Sequence, residues 1–332
     1  MVKTALITGI TGQDGYYLSH LLVEKGYRVV GLVPPRRQPN LTKLGSLVNK
    51  VEIYTVDLTS SMALLTAIEN LRPDEIYNLA APSFVPDSWH NPLGTLDLIT
   101  GTATRMLEAI RNVGLATRFY QASSSEMFGD VISSPQNEET TFRPKNPYAA
   151  AKLHAHWTMV HHRQRYGLFA CSGILYNHES PLRSPQFMTR KVSLAAASIK
   201  LGITDRLEMG NLDAKRDWGF AGDYVEAMWR MLQVEQPEEF VIGTGILHSV
   251  REVVETAFDC VGLDWQKYIV VNPEFLRPDE HFQLVADPSK AKAKLGWQPK
   301  VKLAEVIEMM VQADLERLQC GSLAPTALIP RV

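Results

Sequence analysis

The sequence predicts an α/β protein: a doubly wound parallel sheet with a smaller C-terminal substrate domain. Three observations carry that expectation. A glycine-rich turn separates the first apolar run from the first helical run, β-type and helix-type segments alternate over the first 176 residues, and the pattern changes after residue 183. Alternating strands and helices make parallel neighbours, because each helix carries the chain back across the sheet. Ligands of such sheets sit at the carboxyl ends of the strands.

Taken in order, residues 3–8 (KTALIT) form a short β-rich run that stops at Gly9, and 16–26 (YYLSHLLVEKG) show helical spacing at Leu18, Leu21 and Leu22. Between them, GITGQDG places Gly9, Thr11, Gly12, Gln13, Asp14 and Gly15 where a strand-to-helix turn aims backbone N–H groups and the helix dipole at a phosphate. A plain structural turn is the alternative. The Gly-Lys-Ser/Thr ending of a P-loop is missing, which counts against nucleotide hydrolysis. The run 28–33 (RVVGLV) ends without the Asp or Glu that holds the ribose of NAD, and Pro34, Pro35, Arg36 and Arg37 follow. Arginine there suits a 2′-phosphate, so NADP is the expected cofactor and NAD the less favoured one; a solvated basic loop is the alternative.

Strands are expected at 51–58 and 75–81 around a helix at 61–71, which brings Asp57, Leu58, Leu79, Ala80 and Ala81 to strand ends. Read alone, Asp57 is a helix cap. A helix over 92–114 leads to the strand 118–124 (RFYQASS), which delivers Ser124, Ser125 and Glu126 to the same edge. There a hydroxyl and a carboxylate can hold a substrate oxygen and move a proton at carbon, or simply form a turn. In NPYAAAKLHAHW (146–157), the spacing of Tyr148 and Lys152 puts both on one helix face. An ammonium beside a phenol lowers the phenol pKa from about 10 and makes it a base for an alcohol. A chance pair on a solvated helix is the alternative. The strand 169–176 ends in NHESPLR (177–183); later come a Lys-rich helix within 287–299 and an amphipathic helix over 303–318. Arg190, Lys191, Lys215, Arg216 and Arg277 are scattered through this second half and, if convergent, suit a diphosphate.

Composition narrows the classes. At 332 residues, 45% hydrophobic and 21% charged, the chain can bury a large core, and a net charge of −2 offers no electrostatic case for nucleic acid or an anionic membrane. The three cysteines (Cys171, Cys260, Cys320) are widely spaced and match neither a disulfide framework nor a thiolate metal site. His154 and His156 point to different faces of a helix, so no metal is expected. The start MVKTALITGITG lacks signal-peptide features, and no long apolar run exists, so a cytoplasmic protein with no membrane partner is expected.

GITGQDG, Asp57-Leu58, NLAA, SSSE, YAAAK, NHESPLR, FMTRK and GNLDAKRDWG together resemble the extended short-chain dehydrogenase/reductase family, most closely its GDP-mannose 4,6-dehydratase branch, from residue 2 to about 318. The resemblance implies a Rossmann-type domain over 1–176 that also receives about 216–243, and a mainly substrate-binding domain over 177–332. It implies that Tyr148 takes the proton of the sugar 4-hydroxyl while a hydride passes to NADP, that Lys152 assists, and that Glu126 removes the C5 proton as water leaves from C6. Ser124 stands where the family has Thr and is expected at O4, with Ser125 near C6. The implied cofactor contacts are Gly9, Gly12, Gln13, Asp14, Asp57, Leu58, Leu79, Ala80, Ala81, Ser83, Lys152, His178 and Arg183. Asn177, Lys191, Arg216, Arg277 and Glu280 are implied for a GDP-sugar.

Departures exist as well. The family's Arg-Arg-Ser-Ser falls on Pro34-Pro35-Arg36-Arg37 without a gap or on Arg36-Arg37-Gln38-Pro39 with a two-residue shift, Pro82 replaces a Gln, and HFQLVAD follows Glu280 in place of a more acidic run. These leave room for a related GDP-sugar such as a GDP-heptose. A homodimer or homotetramer is expected. The rival readings are a nucleotide-sugar 4-epimerase or ketoreductase, with Glu126 passive, and a silent NADP-binding sensor.

Overall fold

The computed structural model describes residues 2–35, 41–275 and 283–321. Its first half alternates β1 (Thr4–Thr8), α1 (Gln13–Glu24), β2 (Arg28–Val33), β3 (Glu52–Thr55), α2 (Ser61–Leu71), β4 (Glu75–Asn78), α3 (Asp87–His90), α4 (Pro92–Leu96), α5 (Thr102–Val113), β5 (Arg118–Ser124), α6 (Pro147–Tyr166) and β6 (Ala170–Leu175). The second half adds β7 (Asn177–Glu179), α7 (Met188–Lys200), β8 (Leu207–Met209), β9 (Lys215–Phe220), α8 (Ala221–Met231), β10 (Glu239–Ile242), β11 (Leu247–Ser249), α9 (Val250–Asp259), β12 (Ile269–Val271), α10 (Ser289–Leu295) and α11 (Leu303–Gln319).

Seven strands form one parallel sheet in the order β10-β6-β5-β4-β1-β2-β3. Strands of such a sheet are covered on both faces, which is why TALIT in β1 and ACSGIL in β6 are buried throughout. One face carries α1 and α8 over a core of Leu18, Leu22, Tyr120, Tyr224 and Met228; the other carries α2, α5 and α6 over Leu64, Ile68, Met106, Ile110 and Met159. The order turns back between β1 and β4. That switch point opens a crevice at their carboxyl ends.

Local signals explain the helix limits. Ser60 caps α2 by accepting from the Ala63 N–H at 3.2 Å, α5 stops at left-handed Gly114, and Asn146 with Pro147 starts α6. The helix expected over 92–114 runs as α4, one π-helical turn (Asp97–Gly101) and α5.

Two strands are shorter than expected, because the chain leaves the sheet where backbone donors find a side chain. The N–H groups of Leu79 and Ala80 both bond Thr8 Oγ1, at 3.0 and 2.9 Å, so the run 75–81 leaves the ladder after Asn78. The strand expected over 51–58 likewise ends at Thr55, and Asp57 accepts from the Thr59 N–H and hydroxyl in an Asx turn.

Beyond β6 a separate core of Val192, Ala196, Trp218, Val253, Phe258, Ile307 and Met310 forms among α7, α9 and α11. It carries the three-stranded sheet β11-β9-β7 and the pair β12-β8, four of whose strands are only three residues long and give no periodicity to read. No helix of the described residues is long and apolar enough to cross a membrane.

Candidate active site

A cleft of about 980 Å³ opens at the carboxyl ends of β1, β2, β4, β5 and β6. Its floor is the glycine turn. Gly9 has φ +73°, and a Cβ there would lie 3.0 Å from the Ala80 nitrogen; a Cβ on Gly15 would overlap the Gly9 carbonyl and Ile10 backbone. α1 therefore begins hard against β1 and β4, with its first N–H groups free of helical partners, as a phosphate site requires.

Every described residue assigned to the cofactor lines this cleft: Gly9, Thr11, Gly12, Gln13, Asp14 and Gly15 at the turn, Asp57, Leu58, Leu79, Ala80, Ala81 and Ser83 after β3 and β4, and Lys152, His178 and Arg183 beyond. Ser124, Glu126, Tyr148 and Asn177 line it too, whereas Ser125 is 6% exposed and outside the lining. Lys191 stands apart, donating to the Glu208 carbonyl at 2.8 Å and lying over the Phe275 ring, and Arg216 on β9 is also outside the lining. Arg36, Arg277 and Glu280 lie outside the described residues. Lys43, Tyr176 and Phe187 line the cleft without having been singled out. Lys43 sits in an irregular stretch before β3 with no motif to mark it, and Phe187 is fixed by the Arg183 guanidinium 3.5 Å from its ring centroid.

The expected depression of the Tyr148 pKa by Lys152 is not what the protein residues produce. Burial pushes the Tyr148 phenol up to about 12; a hydrogen bond with Ser124 works the other way, and the Glu126 charge adds to the rise. Lys152 Nζ donates to the Ala122 carbonyl at 2.7 Å and lies 5.6 Å from the Tyr148 ring centroid, while burial lowers its own pKa to about 8. The ammonium is directed at a main-chain oxygen, and desolvation dominates at both groups.

A second charged pair closes the turn. His178 Nε2 is 2.9 Å from Asp14 Oδ2 and its Nδ1 is 2.8 Å from the Tyr176 carbonyl. A carbonyl only accepts, so Nδ1 carries a proton, and Nε2 faces a carboxylate. Burial opposes charge on both partners, yet their mutual attraction and hydrogen bonds outweigh it: Asp14 is held below, and His178 above, its ordinary range. Gln13 completes the link by donating to the His178 carbonyl at 3.0 Å and accepting from Ser180 Oγ at 2.8 Å.

At the other end, Ser124 Oγ accepts from the Glu126 N–H at 3.2 Å, which sets the 3-10 turn Ser125–Met127, and Glu126 Oε2 accepts from Asn146 Nδ2 at 3.1 Å. The cleft thus unites a phenol, an ammonium and a carboxylate beside the glycine turn. Among the described residues no group of three or more His, Cys, Asp or Glu gathers to hold a metal.

A family model described as GDP-mannose 4,6 dehydratase matches residues 6–310. The chain belongs to that family. The GDP-mannose 4,6 dehydratase 1 of Arabidopsis thaliana is 47% identical over 326 residues, covering 95% of this chain and 90% of the relative; the Homo sapiens GDP-mannose 4,6 dehydratase is 44% identical over 344 residues, covering 96% and 92%. Among solved structures, the dTDP-glucose 4,6-dehydratase DesIV of Streptomyces venezuelae, with NAD bound, superposes with TM-score 0.82 at 22% identity, covering 97% of this chain and 99% of that one. RMD of Pseudomonas aeruginosa, complexed with NADPH, gives 0.81 at 23%, covering 95% and 100%. These show the shared fold. For a GDP-mannose 4,6-dehydratase family member, the glycine turn and the cleft fit a nicotinamide dinucleotide.

Proposed function

We propose that the chain converts GDP-mannose to GDP-4-keto-6-deoxy-mannose with NADP as recycled cofactor. The observation that carries this reading is the meeting of Tyr148, Lys152 and Glu126 in one cleft beside the glycine turn. A ketoreductase or epimerase needs only the first two, whereas the elimination needs a carboxylate at C5. A nicotinamide cofactor held by the glycine turn, Lys152 and His178 would supply the hydride chemistry and a positive ring charge.

Tyr148 takes the O4 proton, and Ser124, hydrogen-bonded to it, holds O4. The resulting 4-ketone acidifies C5–H. Glu126 takes that proton and passes it to the C6 oxygen as the C6–O bond breaks, so that water leaves. C5 is then reprotonated through Glu126 from solvent as the hydride arrives at C6, balancing the O4 proton that Tyr148 releases to solvent, and the cofactor would end unchanged. Lys152 holds the nicotinamide ribose. Ser125 assists near C6, and Asn177, Lys191, Arg216, Arg277 and Glu280 hold the GDP moiety.

NADP is favoured because Leu32, Val33 and Pro34 bring no carboxylate to the cleft where a 2′-phosphate belongs, while Lys43 lines it and Arg36 follows in sequence. Residues 1–176 with about 216–243 are read as the cofactor domain and the remainder as the substrate domain. A homodimer or homotetramer is supported by Leu93 and Trp157, 78% and 46% exposed on α4 and α6. A cytoplasmic site is supported by the unpaired Cys171, Cys260 and Cys320.

The test is incubation of the purified protein with GDP-mannose in D₂O, with NADP and NAD compared, followed by mass spectrometry. Loss of one water with deuterium at C5 is expected, faster with NADP. No conversion, or conversion without loss of water, overturns the reading.

A further inference from the structure

Asn146 joins two pieces of the chemistry that the chain carries on different elements. Its Oδ1 accepts from the Ala149 N–H at 2.7 Å and so caps α6, the helix of Tyr148 and Lys152. Its Nδ2 donates to Glu126 Oε2 at 3.1 Å, across to the turn that follows β5. The Ala149 N–H can only donate and the carboxylate only accepts, so the residue between them must present an acceptor and a donor in different directions. A primary amide does this on one rigid planar group. Aspartate caps a helix equally well but has no donor, and glycine is a tolerated cap with neither group.

Among the described residues nothing else restrains that carboxylate. No cation pairs with Glu126 among the described residues; the neighbouring Lys145 is taken by Asp130 at 2.8 Å. Glu126 Oε1 accepts no hydrogen bond from the described residues, although Glu126 lines the cleft. A neutral donor orients a carboxylate at a smaller cost in basicity than a cation at the same place.

We propose that Asn146 is a positioning residue of the elimination step: it holds one oxygen of Glu126 in register with Tyr148 so that the other meets the substrate at C5. The inference rests on the reading of Glu126 as the C5 base. A base displaced by about 1 Å loses on the order of a hundredfold in rate.

The experiment compares the native enzyme with Asn146→Asp and Asn146→Gly, both expected to keep α6 capped. Thermal melting, the absorbance of reduced nicotinamide during turnover, and release of the keto sugar are followed with GDP-mannose. Both variants are expected to melt close to the native protein, to oxidise C4 at near the native rate, and to lose water about a hundredfold more slowly, so that reduced cofactor accumulates. Native-like water loss in either folded variant overturns the proposal. So does a loss in which oxidation and elimination fall together. A native protein that makes no keto sugar from GDP-mannose fails the functional reading itself, a result distinct from either of these.

Discussion

Tyr148 is asked to give up a proton that its protein surroundings hold tightly, since burial keeps its phenol near pKa 12 and Lys152 is directed at the Ala122 carbonyl. Within the proposed reaction, the Arg183 charge works toward ionisation, and a bound cofactor would add further positive charge, coupling base strength to cofactor occupancy. Tyr148→Phe is expected to lower kcat by about 10²–10⁴-fold. Reduced cofactor should form correspondingly slowly, as rapid-mixing absorbance will show; a burst at the native rate in this variant would remove Tyr148 from the oxidation step. Glu126→Gln is expected to behave in the opposite way, forming reduced cofactor without releasing keto sugar. Full turnover by Glu126→Gln would reinstate an epimerase or reductase. The Tyr148–Lys152 spacing was readable because four residues on a helix fix a shared face. The electrostatics were not, because they depend on burial and on a carbonyl supplied by another element. The contact of Asn146 with Glu126 appears only when β5 and α6 come together.

Between elements, the contact of Asp14 and Gln13 at the start of α1 with His178 and Ser180 on and after β7 binds the phosphate turn to the first strand of the C-terminal part. Its pH window follows from the directions of the shifts. His178 is raised above 6.5, so its contribution is complete below 6.5 and fades as pH rises through its folded value. Asp14 is lowered below 3.8, so its contribution is present above 3.8 and fades only as pH falls through its folded value. The melting temperature is therefore expected to decline on the alkaline side of 6.5, and Asp14→Asn should flatten that decline in a pH series by scanning fluorimetry. An unchanged slope in Asp14→Asn would detach the pair from stability. The order of strands and helices was legible in the first half because buried parallel strands and amphipathic helices have distinct patterns. The ends of β3 and β4 were not, because Thr8 and the Asx turn at Asp57 divert the chain from the ladder. Nor were β7, β8, β11 and β12, which are too short to show a period.

Across the whole molecule, α7 and α11 are joined by Arg190 and Asp314, 5% and 0% exposed, with Ser193 Oγ donating to the same carboxylate at 2.8 Å. Arg190 also donates to the carbonyls of Pro181 and Arg183, so this distant pair steadies the segment that brings Arg183 to the cleft. Asp314→Ala leaves a buried guanidinium without its counter-charge and is expected to cost roughly 3–5 kcal/mol, a clear fall in denaturation midpoint with weakened cofactor retention. A midpoint equal to the native one would mean that Arg190 finds another partner. The main sheet, meanwhile, is closed by β10, which pairs with β6 only after the chain has built β7, α7, β8, β9 and α8. During synthesis on the ribosome, the edge of β6 stays open until residue 242 has emerged. The seven-stranded sheet thus reaches its final form late in translation, and a nascent chain stalled before that point would present a ready partner for strand-to-strand aggregation.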